Sequence, residues 1–234
     1  MTKHDMTMRD FFEIGPEAAY GAFSGCSLPW EPLHHLKTFI EDFLKKNGTR
    51  IPSNIPKDVI LQGDVYIEDD VLIESGTFIA GPTLIFKGAE VRFGGYIRGQ
   101  VVVAEKAVVG HDSEIKHSLL LPGAKAAHFA YVGDSILGRN VNLGAGTKLA
   151  NLKVDMGKAS VKIRVGDTVH DTGLRKIGAV FGDNSSVGCN TVTNPGTLIG
   201  RETLGYAVSS LSGYYPPHSI IKNKPNVVVV PRRS

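Results

Sequence analysis

Two cations in the middle of the chain have the types and spacing of a site for an anion, and a histidine follows them. Arg98 and Lys116 are 18 residues apart, and His128 follows Lys116 by twelve. Two stacked cations can hold a phosphate. A histidine, whose ordinary pKa lies near neutrality, can accept or donate a proton. Arg98 and Lys116 therefore predict a binding site for an anionic group.

The elements that position these residues follow from a six-residue period. Every sixth residue over 55–121 is aliphatic, the period returns at Leu137, Leu143 and Leu149, and it returns again from Phe181. A period of six is typical of neither a helix nor a single strand. It fits coils of three short strands, each with one inward apolar residue and a tight corner, stacked at strand spacing. Residues 18 apart then lie above one another, which predicts that Arg98 stacks on Lys116.

The repeat divides the chain into a solenoid at 51–216, an N-terminal helical cap at 1–50 and a C-terminal tail at 217–234. Apolar residues spaced by three and four predict an amphipathic helix that ends at Asn47-Gly48. We expect it to cover the open first coil. The tail begins with Pro216-Pro217, and we expect that it does not continue the coil. The apolar residues of the predicted helix are Leu33, Leu36, Ile40, Phe43 and Leu44.

An inserted loop at 150–178 interrupts the second half of the solenoid and is rich in basic residues. Insertions in solenoids form loops on one face, often the binding face. Residues 158–165 alternate as a hairpin strand does. The insertion predicts either a basic loop that closes over a phosphate or a solvated edge hairpin. Its basic residues are Lys153, Lys158, Lys162, Arg164, Arg175 and Lys176.

Composition excludes several classes of protein. The 234 residues include 27 glycines but only 8% aromatics, which suits a narrow bore lined by aliphatic residues. No apolar run is long enough for a membrane span, and the N-terminus lacks the apolar segment of a signal peptide. A net charge of +3 does not indicate a nucleic-acid partner. The two cysteines have no metal-like spacing. We expect a cytoplasmic protein that handles small anionic molecules.

The segment KAAHFAYVGDSILGRNVNLGAGT, residues 125–147, resembles the acetyltransferase half of bifunctional N-acetylglucosamine-1-phosphate uridylyltransferase/glucosamine-1-phosphate acetyltransferase. Residues 173–179 and 182–184 are more similar to the archaeal-type sugar-1-phosphate nucleotidylyltransferase/acetyltransferase branch. The match covers roughly residues 90–224. The resemblance implies a left-handed parallel β-helix that forms a homotrimer with sites between neighbours. It also implies acetyl transfer from acetyl-CoA to the amine of an amino-sugar phosphate, without a metal.

The resemblance also assigns roles to residues at matching positions. His128 corresponds to the general base, and Arg98 and Lys116 correspond to residues that bind the sugar phosphate. The positions that contact the amino sugar or support the base are Glu114, Tyr131, Asn142 and Asn151. The positions on the acetyl-CoA side are Ala145, Cys189, Ala207 and Lys224.

The chain departs from the family pattern at two of these positions. The family's usual Asn-Tyr-Asp-Gly is Asn151-Leu-Lys-Val in this chain, so the tyrosine is absent. Cys189 stands where the family commonly has a serine. Residues 1–50 carry no Gly-rich nucleotide-binding motif. We therefore expect that this chain does not make a nucleotide sugar itself, which leaves a separate nucleotidyltransferase open as a partner.

Two other function classes fit parts of the sequence. The chain could be a non-catalytic subunit or regulator that binds a sugar phosphate or sugar nucleotide and assists a nucleotidyltransferase. It could also be a zinc-dependent β-helix carbonic anhydrase with His111, His117 and His128 as ligands. Binding of a sugar phosphate without acetyl-CoA turnover would favour the first, and stoichiometric zinc lost together with activity would favour the second.

Overall fold

The computed structural model describes residues 6–154, 157, 159–224 and 230–232. Two short 3-10 turns, Met8–Asp10 and Ala18–Phe23, precede the helix α1, Pro32–Asn47. Pro32 suits the first turn of a helix because it has no N–H to leave unpaired. Gly48 ends the helix with φ 78°, a conformation that favours glycine. The predicted helix and its end are confirmed.

The strands that precede the insertion, in chain order, are β1 (Ile60–Gln62), β2 (Val65–Ile67), β3 (Leu72–Ile73), β4 (Phe78–Ala80), β5 (Thr83–Ile85), β6 (Glu90–Val91), β7 (Tyr96–Arg98), β8 (Val101–Val103), β9 (Val108–His111), β10 (Glu114–Lys116), β11 (Ser118–Leu120), β12 (Lys125–His128), β13 (Tyr131–Gly133), β14 (Ile136–Leu137), β15 (Asn142–Leu143) and β16 (Lys148–Leu149). The remaining strands are β17 (Lys162–Val165), β18 (Thr168–Asp171), β19 (Ala179–Phe181), β20 (Ser186–Val187), β21 (Val192–Thr193), β22 (Thr197–Ile199), β23 (Leu204–Gly205), β24 (Ser210–Leu211), β25 (Tyr214–Tyr215) and β26 (Ile220–Ile221).

These strands form three parallel sheets along the solenoid, each with eight strands within the described residues. Sheet 1 is β1-β4-β7-β10-β13-β16-β21-β24, sheet 2 is β2-β5-β8-β11-β14-β19-β22-β25, and sheet 3 is β3-β6-β9-β12-β15-β20-β23-β26. One coil passes through sheets 1, 2 and 3 in turn. The predicted fold class is confirmed: the chain is an all-β parallel solenoid that matches the left-handed β-helix.

The bore is filled by the inward aliphatic residues that the six-residue period predicted. Ile79, Ile97, Ile115 and Val132 stack along sheet 1 and are fully buried. The coils between β8 and β16 are one residue shorter than those before them, because Val101 pairs with Ser118 and Val109 with Ala126, each 17 residues on. In sheet 1, stacked positions on β10, β13 and β16 therefore differ by 17, and the spacing of 18 returns between β21 and β24.

The N-terminal arm, residues 6–47, covers the outer face of sheet 2. Sheet 2 is apolar on both sides, so β5, β8, β11, β19 and β22 are buried at every residue. Its outward residues pack against Trp30, Leu33, Leu36 and Ile40 of the arm in a second core cluster. The helix was expected to cover the first coil, but it lies along the side of the solenoid. The outer face of sheet 2 exposes more apolar surface than the narrow end of the bore, so covering it gains more free energy.

The insertion leaves the coil after β16 and returns at β19, as predicted. Its strands β17 and β18 form an antiparallel hairpin in which Ile163 and Val165 are buried and Lys162 and Arg164 are exposed. The buried side joins the cluster formed by the arm and sheet 2. The basic side faces solvent, so the described hairpin matches the solvated-edge alternative. Lys158 lies outside the described residues.

The coil continues past its expected end at 216. Pro216 and Pro217 occupy a corner between sheets 2 and 3, where no ladder N–H is required. The chain then adds β26, in which Ile220 pairs with Leu204 and Ile221 with Gly205. Residues 225–229 of the predicted tail lie outside the described residues. No helix in the described part of the chain is long and apolar enough to cross a membrane.

Candidate active site

The predicted acceptor residues gather on the outer face of sheet 1. Tyr96, Glu114, Tyr131 and Lys148 occupy one row of paired positions on β7, β10, β13 and β16. Arg98 and Lys116 occupy the row two residues further along each strand, so their predicted stacking is confirmed by the register. Gly133 follows Lys116 in this row. The strand pairing therefore brings Arg98, Glu114, Lys116 and Tyr131 together on one face.

Each of the two stacked cations has a carboxylate partner within the chain. Nη1 of Arg98 lies 2.6 Å from Oε1 of Glu114, and Nζ of Lys116 lies 3.1 Å from Oδ2 of Asp134. The hydrogen bond to Glu114 raises the pKa of Arg98 above its ordinary value. The expected two-cation patch is thus a pair of ion pairs with little net charge.

The centre of the site is a residue that the sequence analysis did not select. The carboxylate of Asp134 is almost fully buried and accepts hydrogen bonds from Lys116, from Nδ1 of His117 at 2.8 Å and from the amide of Asn151. We call Lys116, His117, Asp134 and Asn151 the Asp134 cluster. It lies at the corner between sheets 1 and 2, where His117 and Asp134 both have positive φ, 44° and 48°.

Electrostatics keep Asp134 ionised. Burial alone would raise the pKa of its carboxyl, but hydrogen bonds from His117 and Asn151 and the ammonium of Lys116 outweigh burial and hold the pKa below its ordinary value. Since an ionised carboxylate only accepts hydrogen bonds, His117 donates through Nδ1. The proton of His117 therefore sits on the nitrogen that faces Asp134.

Tyr131 extends the cluster across sheet 1. Its hydroxyl is hydrogen-bonded to the amide of Asn151, and burial together with the charges of Glu114 and Asp134 raises its pKa. Gly133 makes this contact possible. A Cβ there would lie 2.6 Å from the Tyr131 hydroxyl and 2.7 Å from Nδ2 of Asn151. Polar contacts thus join Lys116, Asp134, Asn151 and Tyr131, and the ion pair of Arg98 with Glu114 lies beside them on sheet 1.

His128 and the residues expected to contact acetyl-CoA lie at the opposite edge of sheet 1, along the corner with sheet 3. His128 is exposed at the end of β12 and pairs with His111, one coil away. A backbone ladder then leads upward, from the carbonyl of His128 to Gly146, from Ala145 to Asn190 and from Cys189 to Val208. Ala145, Cys189 and Ala207 consequently follow one another along this corner.

Two predicted residues lie away from these groups. Asn142 is on sheet 3, where it pairs with Lys125 and Ser186 rather than with residues of sheet 1. Lys224 is exposed beyond β26, next to Asn223, whose amide donates to the carbonyl of Val208. The structure therefore places Lys224 near the upper end of the corner that carries Ala207, and it places Asn142 on a different face.

The three histidines of the zinc alternative do not converge. His117 is bound to Asp134 at one edge of sheet 1, whereas His111 and His128 lie at the other edge. Over the residues that the structure describes, no group of three or more His, Cys, Asp or Glu side chains could hold a metal ion. Cys26 and Cys189 are both free thiols.

Known proteins are similar in sequence to this β-helix. A family model described as the GMPPB C-terminal domain matches residues 79–171. The bifunctional protein GlmU of Methanococcus aeolicus is 33% identical over 213 residues, which cover 91% of this chain and 50% of that protein.

The chain is a relative of the bifunctional GlmU proteins.

The archaeal branch is represented by the bifunctional sugar-1-phosphate nucleotidylyltransferase/acetyltransferase of Sulfurisphaera tokodaii, 40% identical over 45% of this chain and 26% of that protein. The resemblance seen at residues 125–147 is thereby confirmed. The chain spans at most half the length of these two relatives. Among solved structures, the N-acyltransferase AntD from Bacillus cereus, in complex with dTDP-4-amino-4,6-dideoxyglucose and coenzyme A, is 14% identical, with a TM-score of 0.31 over 82% of this chain and 90% of that chain.

Proposed function

We propose that this GlmU-related protein transfers an acetyl group from acetyl-CoA to the amine of a hexosamine 1-phosphate or a related amino sugar. The observation that carries the proposal is the face of sheet 1, where the ion pair of Arg98 with Glu114 lies beside the polar contacts that join Lys116, Asn151 and Tyr131 around Asp134. Amino sugars present several hydroxyl groups, and such a set of donors and acceptors can bind them in one orientation.

His128 is the general base in this proposal. Its side chain is exposed, and β12, the strand that it ends, leads directly into β13, which begins at Tyr131. The amine attacks the thioester carbonyl while the imidazole takes its proton. The new bond joins nitrogen to carbon, the carbon–sulfur bond breaks, and the thiol of CoA leaves. A backbone N–H from a coil corner can stabilise the oxyanion that forms between these steps.

Acetyl-CoA binds along the corner between sheets 3 and 1 in this proposal. Ala145, Cys189 and Ala207 follow one another there. Their short side chains leave space for a ligand along the corner next to His128. Lys224 lies at the upper end, where a cation suits the phosphates of CoA. The resemblance to GlmU assigned the same four positions to the acetyl-CoA side, so this inference and the ladder of stacked residues support each other.

The proposal includes a homotrimer with each site between neighbouring copies. Sheet 2 is covered by the N-terminal arm, which leaves sheets 1 and 3 for contact with another copy. Large apolar residues stand exposed along the corner between these two sheets, among them Phe93 at 54%, Phe129 at 53% and Val208 at 67%. Phe129 and Val208 also have positive φ, a conformation that costs free energy for such side chains. Contact with a second copy accounts for the presence of large apolar side chains at this corner.

The test is release of CoA thiol from acetyl-CoA with a panel of amino sugars, each with and without a 1-phosphate. His128→Ala is expected to abolish turnover and to leave the assembly state unchanged by sedimentation. His35→Ala, which removes an exposed histidine on α1, serves as the control and is expected to keep full activity. Near wild-type rates in the His128 variant would exclude His128 as the base.

The panel also tests the non-catalytic alternative. Binding of a sugar phosphate by calorimetry, without thiol release for any acceptor, would indicate a binding subunit that works with a separate nucleotidyltransferase. The same panel would show whether activity survives the absence of the family tyrosine, since Leu152 follows Asn151 in this chain. Turnover with at least one phosphorylated amino sugar is the expected result.

A further inference from the structure

Asp134 is occupied on both carboxylate oxygens. Oδ1 accepts from His117 at 2.8 Å and from Lys116 at 3.2 Å, and Oδ2 accepts from Lys116 at 3.1 Å and from Asn151. A carboxylate offers about four lone-pair sites, so little capacity remains for a ligand. Asp134 is therefore suited to holding its three neighbours in place rather than to touching a substrate.

His117 is held by only one of its two ring nitrogens. Nδ1 donates to Asp134, and Nε2 makes no hydrogen bond or ion pair with any residue that the structure describes. The ring keeps 16% of its side-chain surface exposed. A neutral ring with its proton on Nδ1 presents a lone pair on Nε2.

We propose that His117 is a specificity-determining residue of the acceptor site, and that its Nε2 accepts a hydrogen bond from a hydroxyl group of the sugar. This rests on the proposed function of the same site. Lys116, the preceding residue, binds the anionic group, and Asp134 positions both side chains. A buried acceptor that matches one substrate hydroxyl discriminates against analogues without it, since the acceptor is then left unpaired.

Two substitutions separate the roles of the two nitrogens. His117→Asn places an amide N–H near the position of Nδ1 and keeps the bond to Asp134, but it removes Nε2. His117→Gln places an amide group near the position of Nε2 and loses the bond to Asp134. If Nε2 contacts the sugar, the acceptor KM of the Asn variant is expected to be about 5–10-fold higher than that of wild type, which corresponds to the loss of one hydrogen bond. The Gln variant is expected to recover most of this loss.

A set of deoxy analogues of the acceptor sharpens the result. For wild type, loss of one particular hydroxyl is expected to raise KM by a similar factor, and in His117→Asn the same loss is expected to have no further effect. The KM for acetyl-CoA is expected to stay constant. The inference is overturned if His117→Asn behaves as wild type, or if all analogues lose affinity equally in the variant, because either outcome indicates a purely structural role.

A binding measurement distinguishes failure of this inference from failure of the proposed function. If no acceptor supports thiol release, the ring Cε1–H signal of His117 is followed by NMR while glucosamine 1-phosphate or inorganic phosphate is added to the wild-type protein. A hydroxyl contact predicts a larger shift with the sugar phosphate than with inorganic phosphate, and this would support the inference without catalysis. Equal shifts, or no shift with either, would refute it.

Discussion

The clearest test of the site's physical basis is the replacement of Asp134 by alanine. Removal of one partner from a buried, hydrogen-bonded charge pair costs about 3–5 kcal/mol. Lys116 keeps 26% of its side chain exposed and can regain water, whereas Asn151 and His117 lose their acceptor. We therefore expect Asp134→Ala to lower the free energy of unfolding by about 2–4 kcal/mol.

Asp112→Ala is the matched control for this substitution. Asp112 also sits at a coil corner with φ 48°, the same value as Asp134, so alanine meets the same backbone strain at both positions. The side chain of Asp112 is 54% exposed, and its ion pair with His111 is on the surface. Its loss is expected to cost under about 1 kcal/mol beyond that strain.

The assay is urea unfolding at fixed protomer concentration, because assembly makes apparent stability depend on concentration. Equal losses of stability in the Asp134 and Asp112 variants would refute the argument that the buried carboxylate organises the cluster. Asp134→Asn adds a pH test. The folded-state pKa of Asp134 is lowered, so its contribution is present above the ordinary value of 3.8 and declines as the pH falls through the folded-state pKa. The stability difference between wild type and Asp134→Asn should shrink in that acidic range.

Three further predictions concern the acceptor face, the exposed corner and the arm. Arg98→Ala should raise the acceptor KM by about 10-fold and leave the KM for acetyl-CoA unchanged, because a charge-assisted contact with the acceptor is lost. Arg92→Ala is the control, since Arg92 is paired with Glu90 on β6. An equal rise of the acceptor KM in the control would argue against a specific role of Arg98. Phe129→Asn should relieve backbone strain yet weaken self-association in sedimentation, and unchanged association would contradict a contact there. Ile40→Ala should lower the free energy of unfolding by about 2–4 kcal/mol, whereas the exposed Lys37→Ala should not; similar midpoints would show that α1 contributes little.

The six-residue period predicted the three sheets because each strand needs one inward apolar residue, and that requirement leaves a regular trace in the sequence. It did not predict where α1 lies. Leu84, Val102 and Leu119 alternate with the inward residues and point outward on sheet 2. These outward apolar residues were the sequence signal that the arm covers a side of the solenoid.

A spacing of 18 predicts the stacking of Arg98 and Lys116 and places Asp134 next to Lys116, but it does not predict the contact of Arg98 with Glu114, 16 residues on. Asp134 lies 17 residues after His117, and only the 17-residue pairing of β10 with β13 places the two at equivalent positions. A constant spacing of 18 misses this contact. The separation of His128 from Lys116 could not be predicted either. Lys116 ends β10 at the corner between sheets 1 and 2, and His128 ends β12 at the corner between sheets 3 and 1, so the width of sheet 1 lies between them.

The N-terminal arm has a consequence for how the protein unfolds. In a solenoid each coil contacts only its neighbours, so terminal coils can fray while the middle stays folded. Here the arm contacts coils that are far apart: the carbonyl of Asp10 accepts from Arg201, the carbonyl of Phe11 accepts from Asp183, and α1 packs against β8 and β11. Loss of one end therefore disrupts packing at the other. The arm converts a stack of separable coils into a single cooperative unit.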